Sequence, residues 1–131
     1  MTEYAEPSCA PTILLVESDV LVRLAVAAYL RECGFKVVEA SSASEAMEVL
    51  RSTTQIEVVF IDLDAPDDGE GFGVARWIRQ NRPSLKVVLS SGATRTAREV
   101  GHLCTEGPII SKPYDHKILE RHIRELLAKD R

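Results

Sequence analysis

Five short apolar runs recur along the chain, and after each of them apolar residues return at every third or fourth position. The runs are TILLVE (12–17), FKVVEA (35–40), EVVFID (57–62), KVVLSS (86–91) and PIIS (108–111). Apolar on both faces and rich in Val and Ile, they predict strands buried from both sides. The segments between them predict helices. The first is 19–33, closed by Gly34 as the residue after the cap. The second, 42–52, carries Ser42 and Glu45 at capping-box spacing. The third, 72–81, is stopped by Pro83. A polar, weakly helical stretch follows at 94–104, and a strong helix at 114–130 has Ile118, Leu119, His122, Ile123, Leu126 and Leu127 on one face. Residues 1–11 hold two prolines and no period, and read as a tail.

Strict strand–helix alternation with doubly apolar strands predicts an α/β fold whose parallel sheet is covered on both sides. Right-handed crossovers leave the five-stranded doubly wound order 2-1-3-4-5, the flavodoxin-like (βα)5 arrangement, as the natural one. Residues 12–131 are then one domain, with no output domain expected after the last helix. Composition narrows the partners. With 45% hydrophobic and 27% charged residues the chain is ordinary for a globular domain. Its formal charge of −4, with no basic block, argues against nucleic acid and against a membrane surface. No leader and no bilayer-length apolar run is apparent, so a cytoplasmic location is expected. Three widely spaced cysteines, Cys9, Cys33 and Cys104, fit free thiols in a reducing compartment.

In such a sheet ligands bind beyond the carboxyl ends of the strands, where the strand order reverses. Strand one ends in Glu17, Ser18 and Asp19. Strand three ends in Asp62 and then Asp64. Strand four ends in Ser90, Ser91 and Gly92, and strand five in Lys112 and Pro113. Acids, hydroxyls and an amine thus converge on one edge. Carboxylates with further oxygen donors suit Mg2+, which keeps waters for a phosphoryl group. A lysine and a hydroxyl opposite would hold phosphoryl oxygens, and Asp62 could act as the nucleophile that forms an acyl phosphate. A buried strand can deliver carboxylates there only if a dication and an ammonium compensate their charge.

These residues resemble the receiver domain of bacterial response regulators. The resemblance rests on acids after strand one, Asp-x-Asp-x-Pro after strand three, Ser after strand four and Lys-Pro after strand five, and it covers 12–130. It implies a stand-alone phosphoryl-accepting switch of a two-component phosphorelay, not an enzyme that turns over substrate. Asp62 would accept phosphate from a histidine kinase or a histidine phosphotransfer protein. Ser90 and Lys112 would contact the phosphoryl group, and Glu17, Asp62 and the backbone carbonyl of Asp64 would hold Mg2+. The Lys112–Pro113 bond would be cis. An unknown downstream protein would read the switch, and a homodimer stays open.

Two departures from the family pattern matter. Ser18 stands where an acid that binds the metal directly is expected, so weaker Mg2+ binding is expected from a neutral oxygen. Asp19 could substitute, but a residue just before an apolar helix reads first as its N-cap. Ile109 replaces an aromatic on strand five. Both departures motivate a rival reading, a pseudo-receiver that binds proteins without efficient phosphorylation. A haloacid-dehalogenase-type phosphatase also uses Asp-x-Asp, but after its first strand. His102, His116 and His122 lack metal-ligand grouping and read as surface or packing residues, and Trp77 reads as packing. From Val20 to Leu30 only Arg23 is polar, so helix one is either buried all round or offers a partner surface.

Overall fold

The computed structural model describes residues 10–64, 70–92 and 108–129, without the side chains of 70 and 71. Five parallel strands form one sheet: β1 (Thr12–Val16), β2 (Lys36–Ala40), β3 (Val58–Asp62), β4 (Lys86–Ser91) and β5 (Ile109–Ser111). Their order is β2-β1-β3-β4-β5, the order expected from the alternation. Four helices are described: α1 (Val20–Glu32), α2 (Ala43–Arg51), α3 (Glu70–Asn81) and α4 (His116–Ala128). The expected helical stretch 94–104 and most of the expected tail lie outside the described residues.

Alternating side chains of the strands build two cores. Leu14, Val16, Val59, Ile61 and Leu89 pack with α2 and α3. Ile13, Leu15, Phe60 and Val88 pack with α1 and α4 on the other side. Trp77 packs on the first of these cores, as read from the sequence. Every residue of β3 is buried, which is what its unbroken apolar run requires of a central parallel strand.

Helix ends follow local chemistry. Asp19 caps α1: its Oδ1 accepts from the N–H groups of Leu21 at 2.9 Å and Val22 at 3.1 Å. Gly34, at φ +101°, ends the helix. Its N–H reaches Arg31 O, and Phe35 N–H reaches Leu30 O, the paired bonds of a Schellman motif. At α2 the cap is only partly the expected box. Ser42 Oγ accepts from Glu45 N–H at 3.2 Å, but Glu45 reaches back to Ser41 N–H at 2.7 Å instead of to Ser42. In α4 the buried stripe is narrower than the sequence implied. Leu119, Ile123 and Leu126 are buried, whereas Ile118 is exposed and His122 and Leu127 are half-buried. The sheet covers a helix along one line of contact, and period alone does not give that line's width.

Candidate functional site

In-register pairing of the central strands brings the acids together. Val16 lies opposite Ile61, which makes Glu17 and Asp62 level at the edge where the chain reverses direction across the sheet. Asp62 in turn is level with Ser90 of β4. Lys112 follows β5, and its backbone N–H donates to Ser91 O at 3.1 Å. The Lys112–Pro113 bond is cis.

Glu17 and Asp62 are only 4% and 5% exposed. Lys112 Nζ donates to Asp62 Oδ1 at 2.5 Å and lies 3.5 Å from Asp64 Oδ2. Asp62 Oδ1 also accepts from Asp64 N–H at 3.0 Å, and Glu17 Oε2 accepts from Asp19 N–H at 3.1 Å. Among the described residues one ammonium faces these acids, and the electrostatics reflect it. Burial, and then Asp62 against it, pushes the Glu17 carboxyl up from 4.5 to about 7. For Lys112 burial works to lower the ammonium, but the bond to Asp62 and the charges of Asp62, Asp64 and Glu17 outweigh it and hold it above its ordinary value. Burial also raises Tyr114, followed by the charges of Glu17 and Asp62.

These groups line an open cleft of about 740 Å³ between the sheet edge and the starts of α1 and α4. Ser18, Val22, Tyr114 and His116 complete its wall. His116, read from sequence as a surface or packing residue, packs its tilted ring 5.2 Å from the Tyr29 ring and also lines the cleft. A lone histidine at a helix start gives no signal of this in the sequence. Asp19 also lines the cleft, but its Oδ1 is committed to the cap of α1.

The expected hydroxyl is less simply placed. Ser90 Oγ is fully buried and has no hydrogen-bond partner among the described residues, and Ser90 is not among the residues of the cleft. Ser91, one residue nearer the edge, donates from Oγ to Gly92 O at 3.2 Å. A group built outward from Asp62 extends by about one strand residue, roughly 3.3 Å, which brings it level with Ser91 and Gly92. Two adjacent serines on opposite pleats could not be ranked by sequence alone.

The donor set fits a magnesium ion in part. Two buried carboxylates, Glu17 and Asp62, share too little positive charge, the situation a dication relieves. Ser18 contributes a neutral oxygen, and the side chain of Asp64 turns toward Gly92 instead, its Oδ2 accepting from Gly92 N–H at 2.5 Å. Among the described residues no group of three or more His, Cys, Asp or Glu side chains is arranged to hold a metal.

Comparison with known proteins agrees with this architecture. Residues 13–124 match the response regulator receiver domain family. A response regulator receiver protein from Sinorhizobium medicae superposes with a TM-score of 0.79 at 31% identity, covering 92% of this chain and 97% of that one. One from Pseudomonas putida gives 0.78 at 29% identity, over 89% and 98%. Among curated proteins, the sensor kinase CckA of Brucella abortus is 30% identical over 93% of this chain, and the transcriptional regulatory protein GltR of Pseudomonas aeruginosa 26% identical over 90%. The chain spans 13% of the former's length and 49% of the latter's. The fold and the acidic edge define a signalling module of two-component systems. The chain belongs to the response regulator receiver domain family.

Proposed function

We propose that this domain is a phosphoryl-accepting switch with Asp62 as the acceptor. The observation that carries the reading is the Asp62 carboxylate at the strand end, paired with Lys112 and open to the cleft. Oδ1 already accepts from Lys112 and from Asp64 N–H, which leaves Oδ2 to attack. An O–P bond forms as the N–P bond of a phosphorylated histidine breaks, the electron pair returns to the imidazole nitrogen, and Asp62 becomes an acyl phosphate. Lys112 balances charge on the transferred group. The Ser91 hydroxyl, in place of Ser90, and Gly92 N–H are the donors level with that group. Glu17, Asp62, the Asp64 carbonyl and Ser18 would hold Mg2+, more weakly than a set with an acid at position 18. When bound, the ion supplies positive charge to the carboxylates and the phosphoryl oxygens.

The donor is a histidine kinase or a histidine phosphotransfer protein. Val20, Leu21, Val22 and Leu24 are exposed on α1, and Val22 lines the cleft. An apolar surface beside the reacting carboxylate suits the helices that carry a phosphohistidine. Ile109, 49% exposed on β5, and Ile118 on α4 mark a second apolar face for a downstream protein or a homodimer. No helix among the described residues is long and apolar enough to cross a membrane; a cytoplasmic location belongs to this reading through its kinase partner.

Mass spectrometry after incubation with acetyl phosphate tests the proposal. A single phosphoryl adduct is expected that requires Mg2+ and is absent in Asp62→Asn. Ser18 favours the pseudo-receiver as the second reading, and an unmodified wild type at saturating Mg2+ would establish it in place of the switch.

A further inference from the structure

Asp64 carries a charge that the chemistry above does not use. Its backbone carbonyl is the part assigned to the metal, and its side chain turns toward β4. There Oδ2 accepts from Gly92 N–H at 2.5 Å and lies 3.5 Å from Lys112 Nζ. One carboxylate oxygen therefore draws on a backbone N–H at the end of β4 and on the ammonium at the end of β5. Asp64 N–H donates to Asp62 Oδ1, so this turn is also anchored on the acceptor itself. The approach is close. A Cβ placed on Gly92 would stand 3.0 Å from Oδ2, so a side chain at position 92 would crowd the carboxylate.

A backbone N–H and an ammonium, one strand residue beyond Asp62, are the donors that an oxygen of a group attached to Asp62 would seek. Asp64 already fills that place with an oxygen of the same charge. A carboxylate and a phosphoryl group cannot share it. At such separations like charges repel strongly even in a medium of intermediate dielectric.

We propose that the Asp64 side chain is an internal anion that occupies a phosphoryl-oxygen position, so that it must swing out before a group on Asp62 can take up Gly92 N–H and Lys112. Asp64 is then a positioning residue that sets how readily Asp62 is modified. It also ties that event to the end of β4, because the bond it surrenders is made to Gly92 N–H. The inference rests on the reading of Asp62 as a phosphoryl acceptor.

Beryllium trifluoride with Mg2+, a stand-in for the phosphoryl group, tests this in the whole chain. It is titrated into wild type, Asp64→Asn, Asp64→Ala and Asp62→Asn while the Gly92 amide is followed by nitrogen-15 NMR. If the contact is closed in about nine molecules of ten, its removal raises apparent affinity about tenfold. Asp64→Ala should therefore bind about tenfold more tightly than wild type. Asp64→Asn should fall between, since its amide oxygen still accepts from Gly92 but exerts less pull on Lys112. Without any anion, the Gly92 amide should exchange faster with solvent in Asp64→Ala. A gain of affinity is not produced by a damaged fold, and the side chain is 26% exposed in a turn, so the variants should melt within a few degrees of wild type. Asp62-dependent binding that is equal or weaker in Asp64→Ala would overturn this inference alone. Binding in none of the four proteins would overturn it together with the assignment of Asp62. Binding in Asp64→Ala but not in wild type would support it in its strongest form.

Discussion

Helices α1 and α4 lie on the same face of the sheet and share one core, yet they treat their outer surfaces differently. α4 buries Leu119, Ile123 and Leu126 and turns Lys117, Arg121, Arg124 and Glu125 outward. α1 buries Val26, Ala27 and Leu30, all in its second half. Its first half offers Val20, Leu21, Val22 and Leu24 to solvent, with Leu21 79% exposed. α4 is apolar mainly where it is covered, Ile118 excepted. α1 is apolar also where it is bare, with Val22 on the cleft. Burial in the core accounts for most of α4 and for half of α1, and the remaining half of α1 is the surface proposed above for the phosphodonor.

That contrast can be broken most forcefully in the shared core. Leu30→Ala and Ile123→Ala each remove a fully buried side chain and should each lower stability by about 2–5 kcal/mol in denaturant melts. Near-equal losses would show that the two helices are equally covered where they touch the sheet. A much smaller loss for Leu30 would extend the bareness of α1 to its second half.

A middle-sized effect sits where α1 joins the sheet edge, at Glu17, whose Oε2 accepts from Asp19 N–H. Its carboxyl is raised from 4.5 to about 7, so the fold favours the neutral form. The stability that Glu17 contributes is fully present below its unfolded value and is lost as pH rises through about 7. Glu17→Gln keeps the neutral form at every pH. Without divalent cations its melting temperature should match wild type near pH 4 and exceed it by roughly 5 °C near pH 8. A constant difference across that range would disprove the burial of an uncompensated charge.

The smallest change tests the bare surface. Leu21→Asp should leave stability within about 0.5 kcal/mol, since the side chain touches solvent. It should slow transfer from a phosphohistidine protein by about tenfold, about 1.4 kcal/mol, while modification by acetyl phosphate stays unchanged. Equal rates from the protein donor would leave the apolar half of α1 without a function.

Much of this was legible before any coordinates. Doubly apolar strands in strict alternation fix a parallel sheet, and its order fixes which strand ends meet, so Glu17, Asp62 and Lys112 could be placed on one edge from their positions alone. Asp19 as a cap was readable for the same local reason, a short acid before an apolar run. What stayed hidden depends on direction within a residue. Ser90 and Ser91 differ only in which pleat they occupy. The family resemblance speaks only to the Asp64 carbonyl, while the turn of its carboxylate toward Gly92 is set by a contact 28 residues away. Ile118 was assigned to the inner face because periodicity marks the centre of a stripe better than its margins.

The contacts between α1 and α4 carry a mechanical corollary. Tyr29 OH donates to Glu120 Oε1 at 2.8 Å, Arg124 NH2 donates to Cys33 O at 2.9 Å, and the Arg124 guanidinium lies 4.8 Å over the Phe35 ring. These contacts tie α4 to α1 and to the turn that follows α1. On the β4 side of Asp62, Asp64 Oδ2 reaches Gly92 N–H and Lys112 Nζ. On the proposed reading of Asp62 as acceptor, a charge arriving there displaces the Asp64 contact and so acts first on the end of β4.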